Sequence, residues 1–410
     1  MAKTAEATNP ADTTDPAPRP QPATPSTARA INDRAALDLF VTRGPLTALA
    51  LAEATGLAKP TVADLLARLQ ESGLVTQIGE VKTDKRGPNA KLYALAAKRA
   101  CVAGIDARAK VVHLSLAGLA GQHLAATTVQ VPPDLPEDAV LDRLADSLLD
   151  LAAQTPAPLM AVTIGMPGLV DPATGQVGRA KMSPSWHTRL AEAVRARTGL
   201  PPAAVQLENE VNLAAIAEQR LLAEQGIDTF ALLWLGAGVG AAVVLDGRLR
   251  RGASGGAGEI GYLPVPGLLV RPGGLPGGPS AEPSHRPAAT DRGPDRQLDR
   301  CGSAIGALID AQALDELTAA LPPADRMPAV ADRVVFGVAA FAVTLDPGVV
   351  VLGGENGAAG GAELAALVER RLSEICPVPA RVLPTAVPGN PILAGAVATA
   401  LDRARAELWP

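Results

Sequence analysis

Aromatic side chains are nearly missing from this 410-residue sequence: Phe, Trp and Tyr make up 2% of it, although 48% of its residues are hydrophobic. Any core must therefore be built from Ala, Val and Leu, without the large rings that usually dominate burial. Cysteine is equally scarce. Cys101, Cys301 and Cys376 are far apart and odd in number, which excludes a disulfide framework and fits a reducing compartment. No run of about 18 uncharged apolar residues occurs, so no membrane span is expected. Residues 1–27 lack an apolar centre, so no signal peptide is expected either. A cytoplasmic chain of two or three domains is the expectation that remains.

Charge is present but uneven. The net charge is −5, yet residues 29–100 hold 11 Lys and Arg against 7 Asp and Glu, a local +4. A basic module on an acidic body suits one anionic partner, although ordinary solvated faces explain the same counts. Residues 1–28 are rich in Ala, Pro and Thr without periodicity and read as a disordered tail. Helical spacing begins at Ala30: Ile31, Ala35, Leu39 and Phe40 mark a first helix that stops near Gly44-Pro45. Thr47 caps a second helix, Ala48 to Thr55, closed by Gly56. Val62, Leu65, Leu66 and Leu69, at i, i+3, i+4 and i+7, mark a third that ends at Gly73. Strands are expected at 74–78 and 91–95, around a polar turn.

Beyond Cys101 the pattern changes to strands at 101–105, 110–117 and 123–131, a helix at 137–153 and a strand at 158–165. A second cycle opens near Asp228 with strands at 229–235 and 239–245. Helices near 303–320 and 326–345, a strand at 348–353 and a helix at 391–407 complete it. Residues 264–300, dense in Pro, Gly, Asp and Arg, read as a long mobile loop. The fold class expected is α/β: a winged helix-turn-helix over 29–97, then a two-lobed actin-like (ribonuclease H-like) domain over 98–407.

In a winged helix the third helix enters the major groove and the β-ribbon reaches adjacent phosphates. Lys59 and Thr61, on that helix's first turn, and Lys85 and Arg86, in the ribbon, are the candidate DNA-binding residues. The inward apolar positions leave Lys59, Thr61, Ala63 and Arg68 more exposed. Ala58 stands where a Ser or Thr cap is usual. A small helical subdomain with a solvated hairpin is the bland alternative.

Five segments of the body occur in a fixed order: Met166-Pro167-Gly168-Leu169-Val170-Asp171, Glu208-Asn209-Glu210-Val211-Asn212, Gly236-Ala237-Gly238-Val239-Gly240, Gly258-Glu259-Ile260-Gly261-Tyr262, and Leu345 to Gly354. Together with the winged helix they resemble the ROK family of repressors and sugar kinases over about residues 29–407. The resemblance implies an interlobe ligand site at Gly168, Asn209, Glu210, Glu259 and Tyr262. Glu210 stands where the kinases carry the Asp that acts as general base; it is one methylene longer, so its reach shifts by about 1 Å, enough to cost roughly a hundredfold in rate. A helix-N-terminal carboxylate is the alternative reading of Glu210. The Gly236 turn is either a phosphate loop or a steric need of two linked strands. Trp186 either stacks on a ligand or packs in the core.

Two departures from the family pattern set the functional expectation. After the strand ending at Ile105, kinases continue Asp-Gly-Gly-Thr so that bare backbone can approach phosphate; this chain reads Asp106-Ala107-Arg108-Ala109-Lys110. Tyr262 replaces a histidine that in the family touches sugar and joins three cysteines on a structural zinc. Residues 264–300 contain no cysteine and one histidine, His285, too few for a tetrahedral site. No catalytic residue, metal or cofactor is therefore expected. The expectation is a ligand-controlled repressor of carbohydrate genes that binds double-stranded operator DNA, takes a sugar-like effector and works as a homodimer or homotetramer. An active sugar kinase with an attached DNA-binding module is the alternative.

Overall fold

The computed structural model describes residues 25–82, 89–178, 184–264 and 305–410. The expected tail up to residue 24, most of the 264–300 loop, His285, Cys301, Lys85 and Arg86 lie outside them. The chain divides into two compact units, Met1–Ala94 with Trp409–Pro410, and Leu95–Leu408.

The first unit opens with α1 (Pro25–Arg43), which starts five residues before the apolar periodicity. Proline at a first helical position loses no hydrogen bond, so the helix extends into the expected tail. There follow β1 (Leu46–Thr47), α2 (Ala48–Thr55), α3 (Lys59–Glu71), β2 (Val75–Val81) and β3 (Ala90–Leu95), with the strands in the order β1-β3-β2. Thr47 caps α2 by accepting from the Ala50 amide at 3.2 Å, and Gly56 ends it in the left-handed conformation. Leu37, Phe40, Leu51, Val62, Leu65, Leu66 and Leu69 form the buried core. Arg68 is not free: its Nη2 meets Oδ1 of buried Asp33 at 2.6 Å and ties α3 to α1. A carboxylate taken out of water needs such a partner. Trp409 is also buried, its indole N–H donating to Asp38 Oδ1 at 3.1 Å.

The second unit holds two five-stranded sheets. In the first lobe β4 (Cys101–Ala107), β5 (Val111–Gly118), β6 (His123–Gln130), β7 (Leu159–Met166) and β8 (Val205–Asn209) are arranged β6-β5-β4-β7-β8, with α4 (Glu137–Ala152) and α5 (His187–Thr198) on one face. Helix α6 (Glu210–Ala223) leads to the second lobe. There β9 (Phe230–Leu235), β10 (Val239–Leu245), β11 (Arg248–Arg250), β12 (Val349–Gly353) and β13 (Arg381–Pro384) form the order β11-β10-β9-β12-β13. Helices α7 (Ile305–Ile309), α8 (Ala311–Ala319), α9 (Pro323–Leu345), α10 (Gly354–Ile375) and α11 (Pro391–Leu408) complete the described residues.

The helix expected at 303–320 is split, because Asp310 takes an extended backbone and caps α8 by accepting from the Ala313 amide. Helices α5 and α10 and strands β1, β11 and β13 lie outside the expected elements; α10 starts with a Gly-rich run and is interrupted at Gly361, which hides its periodicity. Helix α9 is long and apolar enough to cross a membrane by length and composition alone. Its Val334, Val335, Val338, Phe341 and Ala342 instead pack in the second-lobe core.

Two helices are exchanged between the lobes. Helix α6 follows a first-lobe strand, yet Val211, Leu213 and Ala214 pack with Phe230, Leu232 and Trp234 of the second sheet. Helix α11 follows the last second-lobe strand and lies on the first sheet, where a Cβ on Gly104 would meet Val397 at 2.7 Å. The two cross at Gly395, where any Cβ would overlap the Leu213 carbonyl. Replacing Gly395 by Ala is expected to cost about 2 kcal/mol through forced backbone displacement. The urea midpoint of the purified chain measures this, and an unchanged midpoint refutes the crossing.

Candidate functional site

The site is built where strand β4 leaves its sheet. Asp106 is 1% exposed, and its Oδ2 accepts from Arg108 Nε at 3.0 Å and from Asn390 Nδ2 at 2.8 Å. The Arg108 amide donates to the Val111 carbonyl and closes the turn into β5. Its guanidinium then reaches the other lobe, where Nη1 donates to Glu355 Oε1 at 2.8 Å. Glu355 lies in the first turn of α10, and its other oxygen stands over the glycine turn: a Cβ built on Gly236 would lie 2.5 Å from it. Burial works against the Arg108 charge, but Asp106 and Glu355 outweigh it and raise its pKa above the ordinary value. An ion pair thus fills the space onto which the Asp106, Gly236 and Gly353-Gly354 turns converge. The surrounding residues do not fit a nucleotide's phosphates: one phosphate turn carries an arginine side chain and the helix N-terminus carries a carboxylate.

Glu210, the first residue of α6, faces this pair. Its pKa is pushed up to about 7 by burial first, then by Asp106, with Glu355 and Glu259 adding to the rise and Arg108 opposing it. Burial also raises Glu259, at the start of a short 3₁₀ turn, Ile260–Tyr262. These carboxyl groups can accept hydrogen bonds from a polyhydroxylated ligand, and Glu210 can hold or release a proton near neutrality.

Asn209 and Gly168 come together, but with each other. Asn209 caps α6 through Oδ1, which accepts from the Val211 and Asn212 amides, and its Nδ2 donates to the Gly168 carbonyl at 3.0 Å. Its polar groups are thus spent on the helix start. Tyr262 ends the short 3₁₀ turn Ile260–Tyr262. Its side chain is 78% exposed, because the short turn that carries it faces outward after buried Ile260. Nor does Tyr262 fit a zinc site, and among the described residues no cluster of three metal-ligating side chains occurs. Trp186 takes the packing role, buried in the first-lobe core with its ring edge-on to His187 at 4.2 Å. Burial lowers the His187 pKa to about 4, so that ring is neutral.

Lys59 and Thr61 stand exposed on the first turn of α3, which has no side-chain cap. Two residues that sequence reasoning missed hold the cleft together. Asn390 braces Asp106 from 284 positions away, and no local pattern signals it. Glu208, 5% exposed, accepts from the Asn209 amide, from Asn212 Nδ2 and, at 2.7 Å, from Arg251 Nε beyond β11. It belongs to a recognised motif, but its role depends on an arginine of the other lobe.

Comparison with known proteins agrees with this architecture. The ROK family model matches residues 102–303 and the IclR helix-turn-helix domain model matches residues 35–79. The xylose repressor of Caldicellulosiruptor bescii is 27% identical over 210 residues, 50% of this chain and 52% of that protein. The glucokinase of Thermotoga maritima is 31% identical over 163 residues, 40% of this chain and 50% of that one. The chain thus spans about half the length of these curated relatives. Among solved structures, a ROK family transcriptional regulator described as a homologue of the E. coli MLC protein superposes with a TM-score of 0.65 at 20% identity, over 92% of this chain and 97% of that one. The ROK hexokinase from Thermus thermophilus gives 0.55 at 25% identity, over 75% and 99%.

The raised Glu210 pKa makes a signed prediction. The folded state holds this proton more tightly than the unfolded state, whose carboxyl titrates near 4.5. The group therefore costs no stability at low pH; the penalty grows between about pH 4.5 and 7 and is complete above. Glu210→Gln is expected to be more stable than the parent above pH 7, with the difference vanishing towards pH 4.5. Urea denaturation across that range tests it, and parallel curves refute it.

Proposed function

We propose that this chain, whose residues 102–303 match the ROK family model behind a match to the IclR helix-turn-helix domain at 35–79, is a DNA-binding transcriptional regulator, a repressor of carbohydrate-related genes controlled by a small ligand between the lobes. One observation carries the reading. The position where a kinase of this fold would hold phosphate is filled by the Arg108–Glu355 pair, while acceptor groups for a ligand persist at Glu210 and Glu259. A body of that kind can bind and close without transferring phosphate. The protein is not an enzyme and needs no cofactor or metal.

Lys59 and Thr61 meet the operator from the exposed N-terminal turn of α3, where the helix dipole also favours phosphate. Lys85 and Arg86 extend the contact to adjacent backbone. A palindromic operator calls for paired modules, so the working form is a homodimer or homotetramer in the cytoplasm. The effector is a sugar or sugar derivative held by Glu210 and Glu259, with Asn209 and Gly168 shaping the floor. By binding the two lobe positions unequally it changes operator affinity.

With an operator selected from genomic fragments, Lys59→Ala is expected to weaken binding about tenfold, within the roughly 1–3 kcal/mol that one good base contact supplies. Arg86→Ala is expected to lower affinity for all sequences and reduce the salt slope by about 1. Gel shifts on folded variants measure both, and unchanged affinity rejects the assignment. A coupled assay with ATP and a panel that includes glucose and xylose tests the kinase alternative. No turnover approaching about 1 s⁻¹ is expected, and finding it overturns the regulator-only reading. A sugar from the same panel is expected to raise the melting temperature; no shift with any sugar counts against an effector.

A further inference from the structure

Among the described residues three arginine–carboxylate pairs join elements of the two lobes: Arg220–Asp402 ties α6 to α11 at 2.9 Å, and the other two, which flank the cleft, differ in kind. Arg251, just beyond β11 of the second lobe, pairs with Glu208 of the first at 2.7 Å, and Glu208 is buried. Arg108 of the first lobe pairs with Glu355 of the second at 2.8 Å, with side chains 36% and 56% exposed. Breaking the first leaves an uncompensated buried charge and is strongly disfavoured. The second is half in water, screened by salt and individually weak. Its geometry is nonetheless held in place. Asp106 anchors the guanidinium from one side, Asn390 braces Asp106, and Glu355 sits in the first turn of a helix whose start is fixed by close approach to β9: a Cβ on Gly354 would meet the Leu235 carbonyl at 2.5 Å. Both ends of the bridge are therefore pre-positioned, and little side-chain freedom is lost in making it.

We propose that the Arg108–Glu355 pair is an interlobe latch, which holds the cleft closed in the absence of any bound molecule and opens reversibly. In a site that takes phosphate, backbone N–H groups of both lobes converge on an anion. Here the sign is reversed, and carboxylates of both lobes converge on one cation supplied by the chain itself. The closed arrangement is thus the resting state, and a ligand acts by favouring or opposing a contact already made. The weakness of a half-exposed pair suits this role, because the lobe equilibrium stays within reach of an ordinary ligand's differential affinity.

Spin labels on the full-length chain test the latch. Asp142→Cys on α4 and Glu363→Cys on α10 place one exposed label on each lobe; Cys301→Ser removes a competing thiol, and Cys101 and Cys376 are buried. At low salt the parent is expected to give one short interlobe distance, with a longer population growing about threefold towards 1 M salt. Arg108→Gln and Glu355→Gln should each show that longer population already at low salt, without further salt response. The double variant should open no further than either single one, because both remove one interaction. Far-UV circular dichroism and the melting curve confirm that each variant is folded, and Glu355→Gln, at an exposed position, keeps the test usable if Arg108→Gln does not fold. Distances that match the parent in both single variants overturn the latch. Opening with Arg108→Gln alone also overturns it, because that outcome assigns Arg108 to the Asp106 turn and not to the lobe contact.

Discussion

The crossing of α6 and α11 at Gly395 is the constraint on which the body depends. Each helix is connected to one lobe and packed on the other, so their separation sets the separation of the two sheets. Backbone meets backbone at Leu213 and Gly395, and no side chain there can relax to absorb a change in spacing. The same crossing positions both ends of the cleft: Glu210 is the first residue of α6, and Asn390 immediately precedes α11 and reaches Asp106. Site geometry is thereby tied to a packing contact far more rigid than the loops that carry the ligand-facing groups.

On that frame the cleft carries an unusual balance of charge. Asp106, Glu210, Glu259 and Glu355 interact across it and Arg108 is the cation among them, with Arg251 committed to Glu208. One guanidinium bonds two carboxylates, and burial first, then the remaining repulsion, raises Glu210, whose proton is retained to about pH 7. Such a site is poorly disposed towards a phosphorylated ligand and well disposed towards hydroxyl donors. The electrostatics and the Arg108 side chain in the first turn both count against phosphate in this cleft.

Much of the first unit was legible because its signals are local. Apolar residues at helical spacing, Thr47 as a cap and Gly56 as a stop specify α2 and α3 within a few residues. Arg68 is more exposed than the apolar positions of its helix, but a helical wheel says nothing about its partner Asp33, 35 positions earlier and buried. In the body, the β-meanders and α4 announce themselves by uninterrupted apolar strands and an amphipathic helix. Helix α10 does not, since its first turns are glycine and alanine and its helicity comes from docking on the second sheet. Likeness to a histidine singles out Tyr262, but its exposure depends on the packing of the short turn that carries it.

The sequence by itself determined the order of elements, the helix-turn-helix, the two α/β cycles and the replacement of a glycine-rich phosphate turn by Arg108. These follow from residue type and spacing along the chain, which local sterics and burial translate directly into structure. Only the tertiary structure decided what Arg108 does, that Asn209 is consumed by its own helix and Gly168, and that Glu208 and Asn390 hold the cleft. The contacts that settle these roles, Arg108–Glu355, Asn209–Gly168, Glu208–Arg251 and Asn390–Asp106, join residues tens to hundreds of positions apart, and whether a polar group is free for a ligand depends on which distant partner reaches it first.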